Sequence, residues 1–354
     1  MFSGPSRSKI RCQLMIWIHG GSFVAGTAGD PLFDGSKLSA GGGHRDHAEL
    51  SAAGAFGWLA HPALAEGSSN SRVANYGMMD QIAALRWVHE NIRAFGGDPN
   101  NVTLFRHLFG SNFGRVLMLC EQSRDLYQKA ILESVPGRER ECARWKWPRP
   151  LASSFSKLSG NDRNGPDPRA IDSKVILAAE KILLSKPSQS FGPTEDGILV
   201  KEDIAAGFGA GRQNRIPLII GSNEDETGFG SEPDFNEELG LTGASVDELR
   251  RFYPEASRNL AELAARLYTD RVFTEPVRLV ARRHAATGSP TFRYPFLLCA
   301  RSPTSRQRRR SRTRASIHLW RRRRAQRRSV HASRPRSFKS SEGLLDQFCK
   351  NRRS

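Results

Sequence analysis

Residues 98–112, DPNNVTLFRHLFGSN, hold the junction on which the fold turns. Asp98-Pro99 predicts a turn, because proline presets φ and aspartate bonds its own backbone two residues on. Val102 to Phe105 predicts a short apolar strand. Arg106, His107, Leu108 and Phe109 then put four bulky side chains where the pattern asks for a tight, glycine-flanked turn.

Working outward, residues 75–95 (NYGMMDQIAALRWVHENIRAF) place Met78, Ile82, Leu85, Val88 and Ile92 at helical spacing, with Trp87 and Phe95 flanking the stripe. Gly96-Gly97 is the expected stop. Leu14 to Ile18 is an unbroken apolar run closed by His19-Gly20-Gly21, the pattern of a strand buried on both faces. Downstream, IPLIIG (216–221) predicts a second such strand, ending in the polar loop SNEDE. SVDELRRFY and NLAELAARLY are patterned as helices. Residues 143–170 are weakly patterned and are expected to form a surface excursion. Strands alternating with helices predict an α/β architecture, a mostly parallel central sheet flanked by helices.

The formal net charge of +18 over 354 residues first suggests a polyanion partner, until its location is considered. Residues 301–354 hold 19 Lys and Arg against Glu342 and Asp346, a net of +17, which leaves +1 for residues 1–300. The run 301–337 contains 15 Arg and no Lys, with too few apolar residues to bury a core. Two regions follow: a globular part over 1–300 and an arginine-rich tail, 301–354, expected to be disordered. Cys12, Cys120, Cys142, Cys299 and Cys349 form no CxxC pair, so no zinc or other metal site is expected. No apolar run reaches the roughly 20 residues of a membrane span. The N-terminal stretch carries no apolar signal core, and the compartment stays unassigned.

Five blocks, MIWIHGGSFVAGT, AFGWLAHPAL, NYGMMDQIAALRWVHENIRAFGGDPNNVTLF, PLIIGSNEDE and LYTDRVFTEPVRLVA, closely resemble those of one family in the family's order. It is the type-B carboxylesterases and cholinesterase-like proteins of the α/β-hydrolase fold. The resemblance implies that fold, here truncated at both ends. It also implies hydrolysis of a small-molecule carboxylic ester by serine attack, an acyl-enzyme and then water, with no cofactor. Such an enzyme needs a serine on a strand-to-helix turn, a histidine base, an acid to orient the base, and backbone N–H groups for the oxyanion.

By that resemblance, Gly21 and Ser22 supply the oxyanion N–H groups, and Glu226 is the acid, with Thr227 where a glycine usually follows. A plain tight turn and a solvated acidic loop are the alternatives for these two segments. The family's Gly-Glu-Ser-Ala-Gly falls on Arg106 to Gly110, so Leu108 occupies the serine position and Arg106 replaces a packing glycine. Ser111 comes three residues late, and no G-x-S-x-G occurs in the chain. The base belongs in the tail. His331 in VHASRP has a faint match, against the alternative of a solvated tail histidine. His318, His19, His61, His89 and His107 have no claim to the role.

Where the family has a buried strand, residues 43–51 read GHRDHAELS. One codon choice for them, read one nucleotide later, encodes Val-Ile-Val-Thr-Thr-Leu-Asn-Tyr-Arg; the same shift over Arg106 to Gly110 encodes Gly-Ile-Ser-Ser-Gly. Out-of-frame stretches account for both breaks and for the arginine-rich tail. The expectation is an esterase by descent that is inactive as written. The alternatives are a non-catalytic cholinesterase-like binding protein and nucleic-acid binding through the tail. The latter is not expected, because the tail has few aromatics to stack, Trp320, Phe338 and Phe348, and the globular part has no basic face.

Overall fold

Continuous apolar runs build the sheet. The structure, a computed structural model, describes residues 12–27, 29–36, 39, 54–64, 74–107, 109–137, 155–157, 168–185, 191–227, 233–242, 244–254, 256 and 259–296. Residues 41–51, Leu108 and everything from 297 onward, His318 and His331 included, lie outside the described residues.

β1 (Cys12–Ile18), β2 (Gly97–His107), β3 (Lys129–Glu133), β4 (Leu218–Asn223) and β5 (Thr291–Phe296) pair in chain order, all parallel. Such a sheet is covered on both faces, and every residue of β1 from Gln13 to Ile18 is buried. The strands expected at 14–18 and 102–105 are direct neighbours, in register from Leu14↔Val102 to Ile18↔Arg106. The strand expected at 216–220 is not their neighbour, because β3 stands between β2 and β4. Ala130-Ile131-Leu132 is too short an apolar run, between a lysine and a glutamate, to announce that strand. β2 also begins earlier than Asp98-Pro99 predicts. Gly97 already pairs with Cys12, and the turn chemistry survives as the Asp98 carboxylate accepting the Asn100 N–H at 3.0 Å inside an irregular register.

The helices are α1 (Gly54–Trp58), α2 (Tyr76–Asn91), α3 (Phe109–Leu119), α4 (Ser173–Leu184), α5 (Ile204–Gly209), α6 (Phe235–Thr242), α7 (Val246–Phe252), α8 (Leu260–Thr269) and α9 (Glu275–Ala285). A π-helical turn, Asp270–Thr274, joins α8 to α9. α2 buries the predicted stripe of Met78, Ile82, Leu85 and Val88, while Trp87 stays half exposed. Each buried aliphatic contributes about 1.5–3 kcal/mol. The start of α2 is tied down by Asn75, which sits at φ 63° and is buried. Its amide donates to the Thr194 carbonyl at 2.7 Å and accepts the Thr194 N–H at 2.8 Å. Gly96, at φ 82°, ends the segment as a left-handed cap.

One sheet face carries Ile16, Ile18, Leu104, Leu132 and Ile220 into the main core, against α2, α3 and α9. The other carries Met15, Ile131 and Ile219 with Phe105 and Tyr294. The segment expected as a surface excursion is not wholly superficial, since Phe155 lies in the main core at 1% exposure. One large apolar side chain can be buried from a segment that shows no periodicity.

Candidate functional site

Parallel strands deliver their following loops to one edge, and the residues singled out by the sequence follow the carboxyl ends of β1, β2 and β4. After β1 the chain winds tightly. Gly21, Ser22 and Phe23 all have positive φ (132°, 55° and 65°), and the Gly21 carbonyl accepts the N–H groups of Val24 and Ala25, both at 3.0 Å. A Cβ on Gly21 would lie 1.9 Å from the Ala25 oxygen, so only glycine fits there. His19 is buried beneath the turn, its Nδ1 2.6 Å from the Gly20 carbonyl, and a Cβ on Gly26 would strike its ring. Ser22 is exposed. Successive amides wound in this way can face a common anion.

β2 ends at His107 and α3 begins at Phe109, so a single residue separates strand from helix. Arg106 does not prevent that turn. Its side chain, 2% exposed, enters the helix-covered face between its register partners Ile18 and Leu132. Its Nη1 lies 3.5 Å from the Gln81 amide oxygen of α2. The room comes from Gly114 of α3, where a Cβ would meet Leu132 Cδ2 at 2.5 Å and Arg106 Cδ at 3.3 Å. Burial pushes the guanidinium pKa well below its usual range, and Tyr127 pulls it partly back. The packing glycine missed at 106 is thus replaced by one in the helix above.

After β4, Glu226 is 2% exposed and densely held. Its Oε1 accepts the Asn223 N–H at 2.6 Å, and its Oε2 accepts the Asn223 side-chain amide at 3.0 Å. The same amide reaches Ser134 Oγ at 3.3 Å, and the Glu226 N–H donates to Thr269 Oγ1 at 3.1 Å. Burial raises the Glu226 carboxyl pKa, while the bonds from Asn223 and Ser134 lower it. Thr269 closes α8 where the π-helical turn begins, a distortion frequent beside functional groups.

The sequence reading did not find Ser134, Asn223 or Thr269. Ser134 is 3% exposed, at φ 50° immediately after β3. A serine directly behind a buried run was the available signal, lost because β3 itself was missed. Gly21, Ser22 and Glu226 share the sheet's carboxyl edge, with β2 and β3 between their strands. Leu108 and His331 lie outside the described residues. Among the described residues no three His, Cys, Asp or Glu side chains group to hold a metal ion, and no helix is long and apolar enough to cross a membrane.

The parallel sheet, its covering helices and the loops at its carboxyl edge define an α/β hydrolase. The family profile of the carboxylesterases (Carboxylesterase family) matches residues 4–331, and the chain belongs to that family. It is 32% identical over 316 residues to the fumonisin B1 esterase of Sphingopyxis macrogoltabida, covering 80% of this chain and 54% of that protein. It is 29% identical to human neuroligin-3 over 80% of this chain and 36% of that one. Among solved structures, a PNB esterase superposes with a TM-score of 0.67 at 29% identity, covering 84% of this chain and 65% of that one. The chain thus spans about half the length, or less, of these curated relatives.

Proposed function

We propose that the chain keeps the frame of a serine carboxylic ester hydrolase without its nucleophile, and that it does not turn over esters. One observation carries this: the residue between His107 and Phe109, at the strand-to-helix junction, is Leu108, which has no nucleophilic atom. The oxyanion donors would be the N–H groups of Gly21 and Ser22, the acid Glu226 and the base His331. The globular part over 1–300 would carry the site frame, with the tail 301–354 appended to it. In an intact enzyme of this kind the serine attacks the ester carbonyl, the base takes its proton, and the acid steadies the imidazolium. Without the serine no acyl-enzyme forms, and the preorganised donors have no tetrahedral oxyanion to stabilise.

A second reading, a non-catalytic binding protein of the cholinesterase-like kind, has support from the similarity to neuroligin-3 and needs no nucleophile. Pre-steady-state hydrolysis of a short-chain chromogenic ester tests the first reading. No burst and no turnover above the buffer rate are expected; a burst stoichiometric with protein overturns it.

A further inference from the structure

Three titratable side chains that the esterase frame does not use stand in one row at the carboxyl end of the sheet. His107, Glu133, Gly221 and Tyr294 are successive register partners on β2, β3, β4 and β5. Register partners of a parallel sheet project to the same face. Here that face is the one carrying Phe105, Ile131 and Ile219, with which Tyr294 packs. The row therefore borders an apolar layer. Gly221 contributes no side chain, and the Tyr294 ring fills the gap, its Cε1 2.5 Å from where a Cβ on Gly221 would lie. Glu226 follows β4 in the next loop, its carboxylate met by the N–H donors of Asn223. Donors of that kind stabilise the ionised form.

We propose that Glu133 keeps a proton at the sheet's carboxyl edge and that a neutral His107, its register partner, completes a proton switch there. A carboxyl in a row that borders an apolar layer is poorly solvated, and negative charge nearby further disfavours its ionisation, so it stays protonated. Burial, and then the charge on Glu226, push the Glu133 carboxyl up to about 7. Burial brings His107 down to about 4. Burial, then the charges on Glu133 and Glu226, raise the Tyr294 phenol, which stays neutral as well. Asp225 adds negative charge beside Glu226. Glu224 is engaged by Arg266 at 2.9 Å, and Asp270, in the π-helical turn, accepts the Tyr253 hydroxyl at 2.7 Å. On deprotonation, the Glu133 proton leaves to water at its partly exposed rim.

The two switch residues tilt stability in opposite directions. Between pH 4.5 and 7 folded Glu133 keeps a proton that the unfolded chain has released, so its contribution falls as pH rises. Between pH 4 and 6.5 folded His107 rejects a proton that the unfolded chain binds, so its contribution rises with pH. Where the windows overlap the two slopes cancel. Removing either residue unmasks the other, with a change of up to about tenfold in the folding equilibrium constant per pH unit.

The experiment uses the full chain, Glu133→Gln and His107→Gln. It combines denaturant unfolding at half-unit steps from pH 4.5 to 7.5 with the infrared band of a protonated carboxyl. The band is expected at pH 6, fading as pH passes 7 and absent in Glu133→Gln. Relative to the full chain, Glu133→Gln gains stability as pH rises, and His107→Gln gains stability as pH falls. If Glu133→Gln does not fold, the infrared titration of the full chain and of His107→Gln decides alone. No protonated-carboxyl band at pH 6, a band unchanged by Glu133→Gln, or parallel profiles for folded variants and the full chain would overturn the proposal. None of these readouts requires turnover, so an inactive protein leaves the test intact.

Discussion

Gly221 and Tyr294 are register partners on β4 and β5, and the tyrosine occupies the space that any side chain at 221 would need. The position of a Cβ on Gly221 lies 2.4 Å from the Tyr294 carbonyl oxygen and 2.5 Å from its ring. The nearest clash is with backbone, which no rotamer change relieves. Gly221→Ala should therefore destabilise the fold by about 1–3 kcal/mol, the usual cost of overpacking. The midpoint of urea unfolding should fall accordingly. An unchanged midpoint would mean that β4 and β5 are spaced more widely than the register requires.

Arg106 is a cation in a row of aliphatic residues, between Ile18 and Leu132. Its polar contacts offset part of the cost of removing a guanidinium from water, and exchange for an apolar chain of similar length removes that cost. Arg106→Met should be neutral or stabilising, up to the roughly 1–4 kcal/mol seen when buried ionic groups are replaced by apolar ones. Thermal unfolding of the variant checks this. A loss of several kcal/mol would show that the arginine's contacts outweigh its desolvation.

Arg271 and Glu238 tie the π-helical turn to α6. Arg271 Nε donates to Glu238 Oε2 at 2.7 Å, a terminal guanidinium nitrogen reaches Oε1, and Glu238 is 3% exposed. Arg271→Met strands a buried carboxylate and should cost about 3–5 kcal/mol. Arg271→Met with Glu238→Leu should recover much of that loss. Near-additive losses in the double-mutant cycle would argue against a direct pair.

How much of this was legible in the sequence depended on whether the signal was local. The α2 stripe from Met78 to Val88 and the run from Leu14 to Ile18 each carry a full hydrophobic period, and both formed as expected. Glu226 was placed by the blocks around it, and the structure adds the Asn223 and Ser134 contacts that hold it. β3 was invisible because three apolar residues between charges fit several conformations. The burial of Lys129 and Phe155 depends on distant partners and leaves no periodic trace. The space for Arg106 depends on Gly114, eight positions later and in another element. The turn at Ser134 follows from where β3 stops, and so could not be read before β3 itself.

The absence of a nucleophile at position 108 is tested most directly by covalent labelling. In a well-studied protease, loss of the serine costs about 10⁶ in turnover, and the oxyanion hole and binding retain on the order of 10³–10⁴ over water. Neither remnant forms a covalent adduct. The measurement is intact-mass detection of adducts after exposure of the unmodified chain to a serine-directed phosphonate. Leu108→Ser, and Leu108→Ser with Arg106→Gly, are run beside it. The account predicts no adduct on the unmodified chain and none on Leu108→Ser alone, because that change supplies no base and leaves the charged sequence GHRDHAELS at 43–51. A stoichiometric adduct on any serine of the unmodified chain, Ser134 included, would contradict it and place the nucleophile elsewhere.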